Sequence, residues 1–266
     1  VNWNHFGIVA LVSAVCWILA ALFALLKAKN QALQSEAISR KALLCSVAGI
    51  VIISVYIISF WQYLERPPLK TIGETRLWYA LFMGVAGLIT YVLWRFPWIL
   101  SFSALMSIVF MMVNLFKPEI HNQVLMPALQ SPWFIPHVTV YIFSYALLGC
   151  SFLLALAALF KPALNVDRAI WHLVIAGISC FSLGMLFGAL WAKEAWGNYW
   201  SWDPKETWAA ITWIVYILYI HLIRFRYRNK KIVYLVLIFA FVALQMCWYG
   251  LNYLPAAQQS IHVYGS

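Results

Sequence analysis

The chain has 266 residues, of which 65% are hydrophobic and only 10% charged, against about a quarter charged in a soluble domain. Apolar stretches of about 20 residues recur, the length a bilayer core demands, and they do not alternate, which excludes a soluble domain and a strand-built barrel alike. The net charge of +10 gathers in two loops, so it orients a membrane protein and is no nucleic-acid signal.

Eight transmembrane helices are predicted, giving an all-α polytopic bundle. The first four cover Phe6 to Leu26, Ala42 to Tyr63, Leu77 to Trp94 and Trp98 to Phe116. Pro97 makes the connection between the third and fourth tight. The fifth covers Val138 to Phe160 and the sixth Ala169 to Ala192. The seventh opens at Pro204 and ends near Arg224, and the eighth covers Ile232 to Tyr249. Residues 1–266 carry no domain boundary, linker or repeat and read as a single integral-membrane domain. The first apolar run is too long for a cleavable signal peptide and lacks a basic leader.

Charge sets the expected topology. Lys27, Lys29, Arg40 and Lys41 oppose only Glu36 after the first helix. Arg224, Arg226, Arg228, Lys230 and Lys231 follow the seventh with no acid. Both loops are expected in the cytoplasm. Both termini, the loop around Arg66, Lys70 and Arg76, and the connection before Pro204 then lie on the extracytoplasmic side.

That last connection is dense in aromatic rings. Trp191, Trp196, Tyr199, Trp200, Trp202 and Trp208 crowd between two apolar runs, with Lys193, Glu194, Asp203, Lys205 and Glu206 among them. Rings at a membrane boundary serve as an anchoring belt. At this density they also suit a platform for a large planar π-system. Asp203 can cap the seventh helix, with Pro204 at its first position and Glu206 in the place of a capping-box acid; a direct role at a ligand stays open beside the cap.

Five cysteines (Cys16, Cys45, Cys150, Cys180, Cys247) lie within apolar runs with no C-x-x-C pair, which argues against redox exchange or zinc and for small apolar packing residues. The histidines are more informative. His137 follows Pro136 at the outer start of the fifth helix, and His262 lies in the tail. Two neutral imidazoles on one side of a planar macrocycle site are what a six-coordinate haem iron requires. His221 falls 17 positions after Pro204, roughly 25 Å along an ideal helix, and nothing within its own helix is expected to pair with it. An ionisable group at that depth is a functional candidate; a hydrogen bond to a neighbouring helix is the other reading. His172 is expected at the cytoplasmic interface, His121 in a polar outer loop and His5 at an interface.

The segment W-G-N-Y-W-S-W-D-P-K-E-T-W, Trp196 to Trp208, resembles the tryptophan-rich WWD motif of the haem-handling membrane proteins of cytochrome c biogenesis. Within that superfamily the chain most resembles the CcsA (ResC) type of system II. Arg66 to Tyr79, Pro136 to Leu148 and the terminal S-I-H-V-Y-G resemble three further family segments. The resemblance implies one haem-handling domain over residues 1–266, with haem b as cofactor. His137 and His262 would be axial ligands at the outer face, and Trp196, Trp200, Trp202, Asp203 and Trp208 would face the haem. His221 would be a transmembrane ligand during transit.

The resemblance also implies a CcsB (ResB)-like membrane partner, since the large extracytoplasmic domain of that subunit is absent from this sequence. The implied activity is that of a holocytochrome c synthase, attaching haem to the C-x-x-C-H of an apocytochrome c in a bacterial inner membrane or a thylakoid membrane. Lys193, Lys205, Arg66, Lys70 and Arg76 are candidate propionate partners. The alternatives are a CcmC-like haem loader, whose members have fewer helices, and a b-type cytochrome subunit using His172 and His221.

Overall fold

Each predicted apolar run folds into one helix. The computed structural model describes residues 2–28, 38–117 and 127–248. The helices are α1 (Phe6–Ala28), α2 (Arg40–Leu64), α3 (Ile72–Trp94), α4 (Pro97–Phe116), α5 (Phe134–Phe160), α6 (Asp167–Trp196), α7 (Pro204–Arg224) and α8 (Lys230–Trp248). No strand occurs among the described residues. All eight are long and apolar enough to cross a membrane, and the chain is an integral membrane protein.

Local chemistry explains the boundaries. Ser39 caps α2, its hydroxyl accepting from the Ala42 N–H. α3 opens five residues earlier than its apolar run implies, because Thr71 and Glu74 form a reciprocal capping box that satisfies two otherwise orphan donors. α4 and α7 both open on proline, whose missing N–H costs nothing at that position. α6 ends at Gly197, at φ +86°, a conformation that glycine reaches without steric penalty.

Helix contacts divide the chain into two compact units, 1–125 and 126–266. In the first, α1 packs against α2 and α4, and α3 against α4. Lipid tails are as apolar as leucine, so packing geometry and polar contacts, not water exclusion, hold such helices together. The Trp17 indole accordingly lies over glycines: a Cβ on Gly49 would sit 2.6 Å from its Nε1, and one on Gly84 3.0 Å from its Cζ2. Phe6, Tyr56, Phe60 and Leu77 complete this core. Ser107 Oγ donates to the Ala80 carbonyl at 2.8 Å, and Asn114 Nδ2 to that of Gly73 at 2.9 Å.

In the second unit α5 lies against both α6 and α8, and α7 packs on α8. Ser144 Oγ of α5 donates to the Gly177 carbonyl of α6 at 2.8 Å. At one end of this unit Asp167 accepts from Lys230 and from the Tyr234 hydroxyl, closing the start of α6 onto the start of α8. The opposite end carries the start of α5, the end of α6 and the tryptophan-rich connection.

Candidate functional site

His137 lies inside α5, not before it. The helix opens at Phe134, four residues ahead of the predicted start, and Pro136 fits within the first turn, where no N–H is needed. The His137 backbone N–H reaches the Trp133 carbonyl at 3.1 Å. Its imidazole Nδ1 stands 2.8 Å from the Gly184 carbonyl of α6. A carbonyl can only accept, so Nδ1 carries the proton, which in a neutral ring leaves the lone pair on Nε2.

Aromatic rings surround this imidazole. Tyr141, one turn along α5, meets it edge-on at 4.7 Å and 81°. Trp191 lies 5.4 Å away at 31°. Trp191 then packs on Trp196 at 4.8 Å and on Phe134 at 5.2 Å. The Trp191 Nε1–H donates to the Ala128 carbonyl at 2.7 Å, and Ser131 Oγ to Glu194 Oε2 at 2.6 Å. These two bonds tie the approach to α5 onto the last turns of α6. His137, Trp191 and Trp196 thus form one chain of ring contacts, with Trp191 buried in its middle.

This changes the expected anatomy of the tryptophan-rich stretch. Residues 191–208 read as a surface connection, with the sixth helix expected to end at Ala192, but α6 continues to Trp196, so Trp196 as well as Trp191 sits on the helix. The connection proper is residues 197–203. Helical backbone holds its hydrogen bonds internally, so extending α6 satisfies polar groups that a longer loop would expose near lipid.

Within the short connection, Trp200 and Trp202 pack edge to face at 5.7 Å and 86°. Trp202 is 69% exposed and lies at φ +58°, a left-handed conformation that costs a non-glycine residue roughly 1–2 kcal/mol. A buried network holds it there. Glu206 Oε2 accepts from the N–H of Ser201 at 2.8 Å and of Asp203 at 3.1 Å, the residues on either side of Trp202. Thr207 Oγ1 donates to the Trp202 carbonyl at 3.1 Å. Asp203 caps α7 as expected, accepting from the Lys205 N–H at 2.9 Å. Glu206 is buried with it, so it is no solvated interfacial charge. Trp208 lies half-buried in the first turns of α7.

The end of α8 closes on this network. Cys247 Sγ donates to the Lys205 carbonyl at 3.5 Å and receives the Tyr145 hydroxyl at 3.8 Å, while Trp248 packs on Tyr145 at 5.3 Å. Tyr141 and Tyr145 follow one another along α5 with their rings tilted at 54° and 5.8 Å apart, and the bonds of Cys247 join α5, α7 and α8 next to the tryptophan-rich connection. His262 and His121 lie outside the described residues.

His221 is in the last turn of α7 and exposed. Contrary to expectation it does find a partner in its own helix: Nδ1 donates to the Ile217 carbonyl at 2.8 Å, a backbone acceptor that a count of side chains on its face overlooks. His172 is exposed on α6.

Among the candidate cations, Lys193 donates to the Gly197 carbonyl at 2.7 Å and lies over the Tyr199 ring at 5.4 Å. In the first unit Arg66 is committed to Glu74 by two bonds of 2.8 and 2.9 Å. Lys70 beside it has its pKa lowered, first by burial and then by Arg66. Arg76 keeps a buried guanidinium nitrogen with no hydrogen bond.

The sequence matches the family described as cytochrome C assembly protein over residues 3–257. The chain belongs to that family. It is similar to proteins named cytochrome c biogenesis protein CcsA. That of Panax ginseng is 29% identical over 83% of this chain and 84% of the relative. That of Cuscuta reflexa is 30% identical over 77% and 79%. That of Chlamydomonas reinhardtii is 37% identical over 53% and 43%. Family membership supports a role in cytochrome c biogenesis.

Proposed function

We propose that this chain is the haem-handling subunit of a cytochrome c synthase, holding haem b beside the tryptophan-rich connection on the extracytoplasmic face for attachment to apocytochrome c. The observation that carries this reading is the His137 imidazole, protonated at Nδ1 by its bond to the Gly184 carbonyl and enclosed by Tyr141 and Trp191. Iron-ligating histidines are commonly held in this way, with one ring nitrogen given to a carbonyl and the other to the metal.

Haem, when bound, supplies the vinyl groups to which the two thiols of a C-x-x-C-H segment add. The protein's own task is positional. His137, through its Nε2 lone pair, and His262 would be the residues that hold the haem iron. Trp196, Trp200, Trp202 and Trp208 would provide stacking surface, and Asp203 with Glu206 would keep the connection in the strained conformation that exposes Trp202. His221 would act as a ligand during transit, its Nδ1–H bond to Ile217 leaving the lone pair on Nε2 by the same argument. A CcsB-like subunit would complete the synthase, in a bacterial inner membrane or a thylakoid. Residues 1–266 would serve as one haem-handling domain.

Purified His137→Ala and His262→Ala proteins test the reading. Each is expected to insert normally but to retain less than about a tenth of the wild-type haem, the loss a missing axial ligand causes. His221→Ala is expected to keep the outer site but deliver less haem to it. Wild-type haem content in both the His137 and His262 variants would refute the assignment.

A further inference from the structure

We propose that Gly184 and Gly188 are positioning residues for His137, forming a one-turn niche on α6 that fixes which imidazole nitrogen carries the lone pair. The inference rests on the reading of His137 as an iron ligand and adds two residues to it.

The two pairs have matching spacing. His137 and Tyr141 are four apart on α5, Gly184 and Gly188 four apart on α6, so each pair lies on one helix face. A Cβ on Gly188 would stand 2.7 Å from both Cε1 and Nδ1 of His137. These are ring atoms of a rigid side chain, so any residue larger than glycine must push the imidazole aside. A Cβ on Gly184 would stand 3.1 Å from Cδ1 and Cγ of Tyr141, whose ring packs edge-on against His137. The Gly184 carbonyl accepts the Nδ1 proton at 2.8 Å. One glycine thus makes the space, and the other supplies the acceptor and admits the Tyr141 ring.

The arrangement has a chemical consequence. A carbonyl at Nδ1 selects the tautomer and raises the basicity of Nε2 toward iron. Loss of that bond weakens donation to the ferric state, so the reduction potential of any haem still bound rises.

The test compares Gly188→Ala, Gly177→Ala and His137→Ala in the full chain, by optical spectrum and reduction potential. Gly177 is the control for packing, since its Cβ would meet Leu148 Cδ2 at 2.5 Å on the same pair of helices but away from His137. Gly188→Ala is expected to lose the six-coordinate spectrum, or to keep haem at a raised potential, and millimolar free imidazole is expected to restore the spectrum. Gly177→Ala is expected to keep both properties.

A wild-type spectrum and potential in Gly188→Ala, with loss in His137→Ala, overturns the niche and leaves the ligand assignment standing. Wild-type behaviour in both overturns the ligand assignment, and the niche with it. Loss in Gly177→Ala as well reduces the effect to general helix packing and overturns the niche. If Gly188→Ala does not accumulate, nitrogen-15 NMR of the haem-free wild-type protein decides. A proton on Nδ1 of His137 supports the niche, and a proton on Nε2 overturns it.

Discussion

Among the described residues Trp202 is one of four non-glycine residues with a left-handed φ, and its side chain is among the most exposed of the large hydrophobic ones. Its left-handed φ of +58° persists only because the surroundings over-determine it. Glu206 does this by accepting from the N–H on each side. Glu206→Ala is therefore expected to strand two backbone donors and to destabilise the chain by about 1–3 kcal/mol, seen as a lower Tm in detergent, together with reduced haem occupancy. Glu206→Gln keeps an acceptor oxygen and should lose less of both. Equal behaviour of the two variants would mean that the carboxylate's acceptor role is not what holds the connection. The capping role of Asp203 and Glu206 was legible in the sequence, because Asp-Pro-x-Glu at a helix start has a local meaning. The grip on Trp202 was not, because it depends on the path that residues 198–202 take.

A similar contrast holds in the first unit. Glu74 accepts two bonds from Arg66 and the N–H groups of Lys70 and Thr71, although its side chain is only 2% exposed. Removing Glu74 leaves the Arg66 guanidinium, itself 23% exposed, and two backbone N–H groups without their acceptor, at about 1–3 kcal/mol. Glu74→Ala is expected to show a loss of that order in thermal unfolding, and Glu74→Gln a smaller one. An unchanged Tm in Glu74→Ala would show that the pair is not buried in the membrane-inserted protein. The T-x-x-E signature at Thr71 to Glu74 could have revealed the early start of α3, but the apolar run that marks the span begins only at Leu77.

At the scale of helices, apolar length alone located all eight spans, since the bilayer demands a fixed number of apolar residues whatever their neighbours. Length does not say which helices touch. Tyr141 joins the site through the packing of α5 on α6, and the glycines that allow this packing have no distinguishing sequence pattern one at a time. The same rule operates between α3 and α4, where a Cβ on Gly87 would lie 2.1 Å from Ser103 Oγ and 2.3 Å from Ser103 Cβ. Gly87→Ala is expected to cost about 1–3 kcal/mol by overpacking, and Gly87→Ala combined with Ser103→Gly to recover most of it. A double variant no more stable than the single one would contradict the close contact.

At the scale of the whole molecule, helix contacts group into units of 1–125 and 126–266. A hydrophobicity profile has no feature that would reveal such a grouping, because every span looks alike to it. The described part of the candidate haem site falls in the second unit: His137, Tyr141, Trp191, Trp196 and the connection to α7. Within the first unit, Arg66, Lys70 and Glu74 form a cluster of their own, and Arg76 keeps a guanidinium nitrogen with no hydrogen bond.

The central claim is that the imidazoles of residues 137 and 262 bind one iron. Electron paramagnetic resonance of the purified ferric protein tests it most directly. The account predicts a low-spin signal from two imidazole ligands in the wild type, converted to high spin by His137→Ala and by His262→Ala separately, and returned by added imidazole in each. A low-spin signal that survives both substitutions unchanged would contradict it.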